Sequence, residues 1–184
     1  MANENKMEFV ILGLLSHESL TGYEMKKRMD TTMSLFWSGS YGSIYPTLQR
    51  LCECGRIVSD ETTDHGRDKI FYSITESGRE RLKQWLRKPI MKDELKYETL
   101  LKLFFGSEIG EADTLKHIHD FEDRMSQILP KLNASVDILK ENNAEAAHEY
   151  YMLTALFGVK IYEASIEWCE YVKKYFEDKE KSSR

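Results

Sequence analysis

Apolar residues along this chain fall into short blocks of changing period before residue 90 and into long helical stripes after it. Residues 7–15 form the first block, an apolar helix closed by the polar run Ser16-His17-Glu18-Ser19. Thr21-Gly22-Tyr23-Glu24 has the spacing in which a threonine hydroxyl caps the third helical residue and a glutamate reaches back, so a second helix is predicted over 22–30. Residues 34–42 are rich in serine, glycine and aromatics. Pro46, tolerated in a first helical turn, predicts a third helix starting at Ser43. In it Ile44, Leu48 and Leu51 share one face, Ser43, Gln49 and Arg50 point away, and Gly55 stands where a C-terminal cap belongs. Ile57-Val58 and Phe71-Tyr72-Ser73-Ile74 are β-prone and flank the polar stretch 63–69, which predicts a hairpin with a charged tip. Thr75 caps a fourth helix carrying Leu82, Trp85 and Leu86, which ends before Pro89.

Beyond residue 94 nearly everything reads as helix. Residues 94–105 form one, broken at Gly106 and Gly110. Met125, Leu129, Leu132, Val136 and Leu139 then recur at alternating intervals of four and three, the pattern of a helix laid against a partner helix, with Pro130 as a candidate kink. A last helix carries Tyr150, Leu153, Phe157, Ile161, Ala164, Trp168, Tyr171 and Tyr175 as an aromatic stripe, more apolar surface than one chain of this size needs. The predicted fold class is mainly α: an N-terminal winged helix-turn-helix with a small β-hairpin wing over residues 1–88, then an α-helical dimerisation domain, with a possible effector site, over 89–184.

Composition and charge narrow the function. With 41% hydrophobic and 31% charged residues in 184, the chain is an ordinary globular sequence. Its longest early apolar run, residues 9–15, is too short to cross a bilayer, so no membrane partner and a cytoplasmic location are expected. The net charge of −5 argues against an anionic partner at first sight. Residues 1–88, however, carry 13 Lys and Arg against 12 Asp and Glu, whereas residues 89–184 carry 13 against 19. Any contact with phosphate therefore belongs to the first part. No Gly-rich phosphate loop, G-x-S-x-G, H-E-x-x-H or nucleophile constellation is present, so neither an enzyme nor a cofactor is expected.

In a winged helix-turn-helix the third helix enters the major groove and the wing reaches the neighbouring backbone. Ser43, Tyr45, Thr47, Gln49 and Arg50 supply donors and acceptors at that helix, with Tyr23, Ser40, Tyr41 and Pro46 beside them. Arg67 and Lys69 put positive charge on the wing tip, and His65 adds a hydrogen-bonding group. A winged helix that binds protein instead of DNA is the alternative, since fold alone does not dictate function.

The remaining chemistry-bearing residues have bland readings. Cys52, Cys54 and Cys169 match neither a disulfide framework nor a zinc motif, and Cys52 reads as core; a thiol sensor is its rival role. His117 and His119, two apart on a helix, do not share a face, so no metal site is expected. Trp37 and Trp168 are candidates for stacking on an aromatic effector, with core packing as the competing role of both.

The chain strongly resembles the PadR family of transcriptional regulators. The resemblance lies in Phe9-Val10-Ile11-Leu12-Gly13-Leu14-Leu15, Thr21-Gly22-Tyr23-Glu24, and Gly42-Ser43-Ile44-Tyr45-Pro46-Thr47-Leu48-Gln49-Arg50-Leu51 followed by Gly55. It continues through Gly66-Arg67, Phe71-Tyr72, Ile74-Thr75 and Gly78, and the later helices resemble the longer C-terminal domain of one subgroup. The resemblance implies a homodimer held by its C-terminal helices, bound as a repressor to a roughly palindromic double-stranded operator. It also implies release by a small aromatic or cationic effector. Asp68 departs from the small residue or proline common after Gly-Arg and weakens the positive field of the wing.

Overall fold

A computed structural model describes residues 5–34, 36–64, 67–90, 97–142 and 146–182. The chain divides into two compact units, Met1–Asp93 and Glu94–Arg184. The first opens with α1 (Lys6–Leu15), capped by the Asn5 side chain, which accepts from the Met7 N–H. β1 (Leu20–Thr21) leads directly into α2 (Gly22–Arg28). The predicted cap is in place there: the Glu24 N–H donates to Thr21 Oγ1 at 3.2 Å and the Thr21 N–H to Glu24 Oε2 at 2.8 Å. A π-helical turn, Met29–Met33, follows.

α3 (Tyr41–Glu53) begins two residues before the expected Ser43. Ser43 Oγ accepts from the Ser40 N–H at 3.2 Å and donates to the Ser40 carbonyl at 2.8 Å, so Ser40 rather than the proline sets the helix start. Pro46 lies further in than a first turn, and the helix continues through it. Its missing N–H removes the bond that would have reached the Gly42 carbonyl. Ile44, Leu48 and Leu51 are buried as predicted. Gly55, with φ of +66°, ends the helix in the left-handed region that favours glycine.

The wing is β2 (Ile57–Asp64) and β3 (Arg67–Ile74), antiparallel from Ile57↔Ile74 to Asp64↔Arg67. The strands are longer and the tip shorter than expected, because ladder pairing continues through residues that read as turn-formers. β1, absent from the sequence reading, adds to the far edge through Leu20↔Tyr72 and Thr21↔Phe71, giving the order β1-β3-β2. α4 (Glu76–Leu86) starts at Thr75, whose hydroxyl accepts from the Gly78 N–H. Leu82 and Trp85 pack on the core, whereas Leu86, expected beside them, is exposed.

That core joins Phe9, Ile11, Leu12 and Leu15 of α1 to Met25, Met29, Ile44, Leu48, Leu51 and Ile57. Each such side chain taken fully out of water contributes roughly 1.5–3 kcal/mol, enough in sum to hold α3 firmly by its inner face. Phe9 stacks on Trp85 at 4.4 Å between centroids, which ties α4 to α1.

The second unit holds α5 (Glu98–Phe104), a 3-10 turn at Gly106–Glu108, and the long helices α6 (Glu111–Glu141) and α7 (Ala146–Ser182). Residues 94–96 of the expected 94–105 helix lie outside the described residues. α6 and α7 run antiparallel, since Glu111 pairs with Lys179 and Glu122 with Lys173. Met125 and Val136 are buried on the predicted seam, and α6 continues through Pro130. Ile118, Phe121, Cys169 and Val172 centre the core, with Tyr97, Tyr162, Ile166, Trp168 and Phe176 packed around them. Most of the aromatic stripe of α7 lies off this seam: Trp168 joins the core, whereas Tyr150, Leu153, Phe157, Tyr171 and Tyr175 are exposed. Among the described residues no helix is long and apolar enough to cross a membrane.

Candidate nucleic-acid interface

The outward face of α3 is polar and aromatic because its inner face is wholly engaged in the core. Tyr41, Tyr45, Pro46 and Gln49 are exposed along it, and Ser40 stands at its start. Tyr41 and Tyr45 stack at 6.1 Å between centroids, and the Gln49 amide donates to Glu53 Oε1 at 3.0 Å. Ser43 is half-buried, its hydroxyl spent on the helix start.

Three of the predicted residues come together in one groove. Tyr23 of α2, Tyr45 of α3 and Lys69 of β3 line a cavity of about 590 Å³ with Thr21, Gly22, Glu24, Lys27, Ile70 and Tyr72. Tyr45 lies against Gly22 so closely that a Cβ there would meet its ring at 2.8 Å. Hydrogen bonds from the Thr21 backbone N–H and then its hydroxyl, with smaller help from the charges of Lys69 and Arg28, hold the Glu24 carboxyl below its usual range. Burial pushes the Tyr72 phenol up. Lys27 escaped the sequence reading, although it lies four residues after Tyr23 and so on the same helical face.

Other predicted residues are placed differently. Thr47 is buried at 3% exposure, with its hydroxyl donating to the Ser43 carbonyl at 2.7 Å and accepting from the Asn5 amide at 3.5 Å. That corrects its assignment to the open face: it stands between Ile44 and Leu51 on the core side. Arg50 sits on the flank away from Tyr45, where Nη1 pairs with Glu8 at 3.3 Å. Lys69 is a ladder residue opposite Thr62 and not part of the tip, a second correction. Arg67 pairs with Asp64 in the ladder; its side chain, with His65 and Gly66, lies outside what the structure describes.

The two effector candidates fall in different units. Trp168 packs edge-on against Phe121 at 6.3 Å. Trp37 lies beneath the Lys6 ammonium at 5.9 Å, and its indole N–H is buried without a partner among the described residues. Neither lines the groove above, nor the apolar bowl of about 340 Å³ formed by Leu101, Lys102, Phe105, Glu108, Ile109 and His117. His117 in that bowl and His119, whose Nδ1 is 3.8 Å from Glu122, diverge. No group of three metal-ligating side chains occurs among the described residues.

The model of the transcriptional regulator PadR-like family matches residues 11–84, from within α1 through the wing into α4. The negative transcriptional regulator PadR of Bacillus subtilis is 28% identical over 174 residues, covering 89% of this chain and 93% of the relative. The chain belongs to the PadR-like family of transcriptional regulators. It is accordingly a regulator of transcription and not an enzyme. The model of the virulence activator alpha C-terminal region matches residues 95–177, so the helical unit is also a recurrent part. Among solved structures, smu.1604c from Streptococcus mutans is similar with a TM-score of 0.78 and 30% identity, covering 89% of this chain and 96% of that one. Bacillus subtilis PadR in complex with operator DNA has a TM-score of 0.80 at 25% identity, over 92% and 97%.

Proposed function

We propose that this PadR-like protein is a dimeric repressor that grips a roughly palindromic operator through residues 1–88 and leaves it when a small effector binds. The observation that carries the DNA contact is the outward face of α3, with Tyr41, Tyr45, Pro46 and Gln49 exposed beside a groove that holds Lys27 and Lys69. Ser40, Ser43 and Tyr23 complete the contact surface, and Arg50, Arg67 and His65 extend it to the phosphates on either side. The operator complex of the Bacillus subtilis regulator supports this reading.

Dimerisation belongs to residues 89–184. Tyr150, Phe157, Ala164 and Tyr171 recur every seven residues on the outer side of α7, with Leu153 and Tyr175 flanking them, and all six are exposed. A heptad stripe of aromatics facing water is the surface a second copy would cover. The Bacillus subtilis regulator has also been crystallised with p-coumaric acid, which supports a small aromatic effector. Trp37 is the residue we assign to it, because its buried indole N–H is available to an acceptor. Such a protein works where the DNA is, in the cytoplasm.

Selection of bound duplexes from a random pool tests the reading, with the enriched duplex re-measured at two salt concentrations. An enriched palindrome with steeply salt-dependent binding is expected, because each neutralised phosphate releases counterions. Failure to enrich any duplex would overturn it in favour of a winged helix that binds protein.

A further inference from the structure

Glu8 interrupts the apolar face of α1. Its side chain is only 8% exposed, and each carboxylate oxygen holds one arginine: Oε2 takes Arg50 Nη1 at 3.3 Å, and Oε1 takes Arg81 Nε at 3.2 Å. The two arginines differ. Arg81, 23% exposed, lies over the Phe9 ring at 5.0 Å, and Phe9 stacks on Trp85, so this guanidinium is part of the core wall. Arg50, 46% exposed, projects from α3.

We infer that Glu8 is a positioning residue for DNA contact, which it serves by holding the Arg50 guanidinium in one orientation on the flank of the recognition helix. The inference rests on the proposed reading of α3 as that helix. Arg81 cancels the charge of Glu8, so the triad as a whole carries one positive charge, and that charge is on the α3 side. An arginine fixed through one nitrogen presents its remaining planar donors in a set direction and gives up little rotamer freedom on meeting a phosphate. Stability by itself does not call for such a device, since a buried ion pair is about equal to well-packed apolar residues. The latch also acts one turn earlier, where the Asn5 amide reaches Thr47. The start of α1 thus grips two successive turns of α3.

The test is Glu8→Gln in the full-length protein. The probes are the palindrome enriched from the random pool and a poly(dI-dC) duplex. Charge alone would tighten binding to both, because the variant gains a positive unit. Positioning of a phosphate contact predicts the opposite sign on both duplexes, a loss of about tenfold on the palindrome and a loss also on poly(dI-dC). In an Arg50→Ala background the same Glu8→Gln change should have no further effect, whereas a general loosening of the fold would still lower affinity there. Unchanged or tighter binding of the palindrome, or an equal loss in the Arg50→Ala background, would overturn the inference. Should Glu8→Gln not fold, Arg50→Lys addresses the same point by keeping the charge and losing the fork. It should weaken the palindrome about fivefold with an unchanged salt slope, and equal affinity would reject the latch. Wild-type protein that binds neither duplex removes the recognition-helix reading and this one with it.

Discussion

Tyr45 packs directly on Gly22 in the groove. The ring occupies the space a side chain at residue 22 would need, so the absence of a Cβ sets where the phenol lies. The atoms in conflict are the far end of an exposed side chain, which swings away at small cost. Gly22→Ala should therefore leave the melting temperature within about 2 °C of wild type while weakening the operator complex about tenfold, since a displaced ring loses a groove contact. Melting curves and gel shifts on one preparation check both halves. Thr47 shows how much of this scale was legible. Its place between Ile44 and Leu51 follows the same 3.6-residue period that located the core, yet its hydroxyl invited assignment to the open face. Glu8 was not legible at all: a carboxylate next to an apolar run reads as surface until arginines 42 and 73 positions away close on it.

At the scale of elements, local chemistry explains most boundaries. Thr21 and Glu24 start α2 where their spacing said they would. Because Glu24 is held below its ordinary value of 4.5, mainly by the Thr21 N–H, its cap stabilises the folded state above that pH. The contribution disappears as acid takes the pH down through the lowered value. Urea unfolding at about pH 7 and about pH 3.5 should show wild type ahead of Glu24→Gln at the higher pH and the difference narrowed at the lower. A gap of equal size at both would assign the cap to something other than the charge. β1 was invisible in the sequence because two residues have no period. Only the exposed edge of β3 makes Leu20 and Thr21 a strand. The start of α3 was misplaced for a related reason: the Ser40–Ser43 hydrogen bonds outweigh the preference of Pro46 for a first turn.

The whole molecule is two compact units, Met1–Asp93 and Glu94–Arg184, and the pattern of apolar positions changes near residue 90. What the sequence could not separate was which stripe of α7 serves its own chain. The 3.6-residue period allows two apolar faces on a long helix, and the Val159, Cys169 and Val172 face turned out to be the inner one. The outer face should be the subunit contact. Phe157→Glu combined with Tyr171→Glu is expected to give a folded monomer by sedimentation, with affinity for the palindrome lower on the order of 10²-fold, because the second half-site no longer binds intramolecularly. A stable dimer from that variant would move the contact elsewhere.

The three cysteines also make the protein its own probe of local opening. Cys54 is exposed, Cys52 is half-buried with its thiol pushed up by burial, and Cys169 has no exposure and a thiol pushed up to about 11. A thiolate must form and be reached before it reacts. Alkylation followed by mass spectrometry should modify them in the order Cys54, Cys52, Cys169, and reaction at Cys169 should wait for the α6–α7 seam to part. Its rate then reads the opening equilibrium of the helical unit in the unmodified sequence. A ligand or DNA duplex that holds this seam closed would slow that reaction, giving an effector assay that needs neither a label nor a promoter.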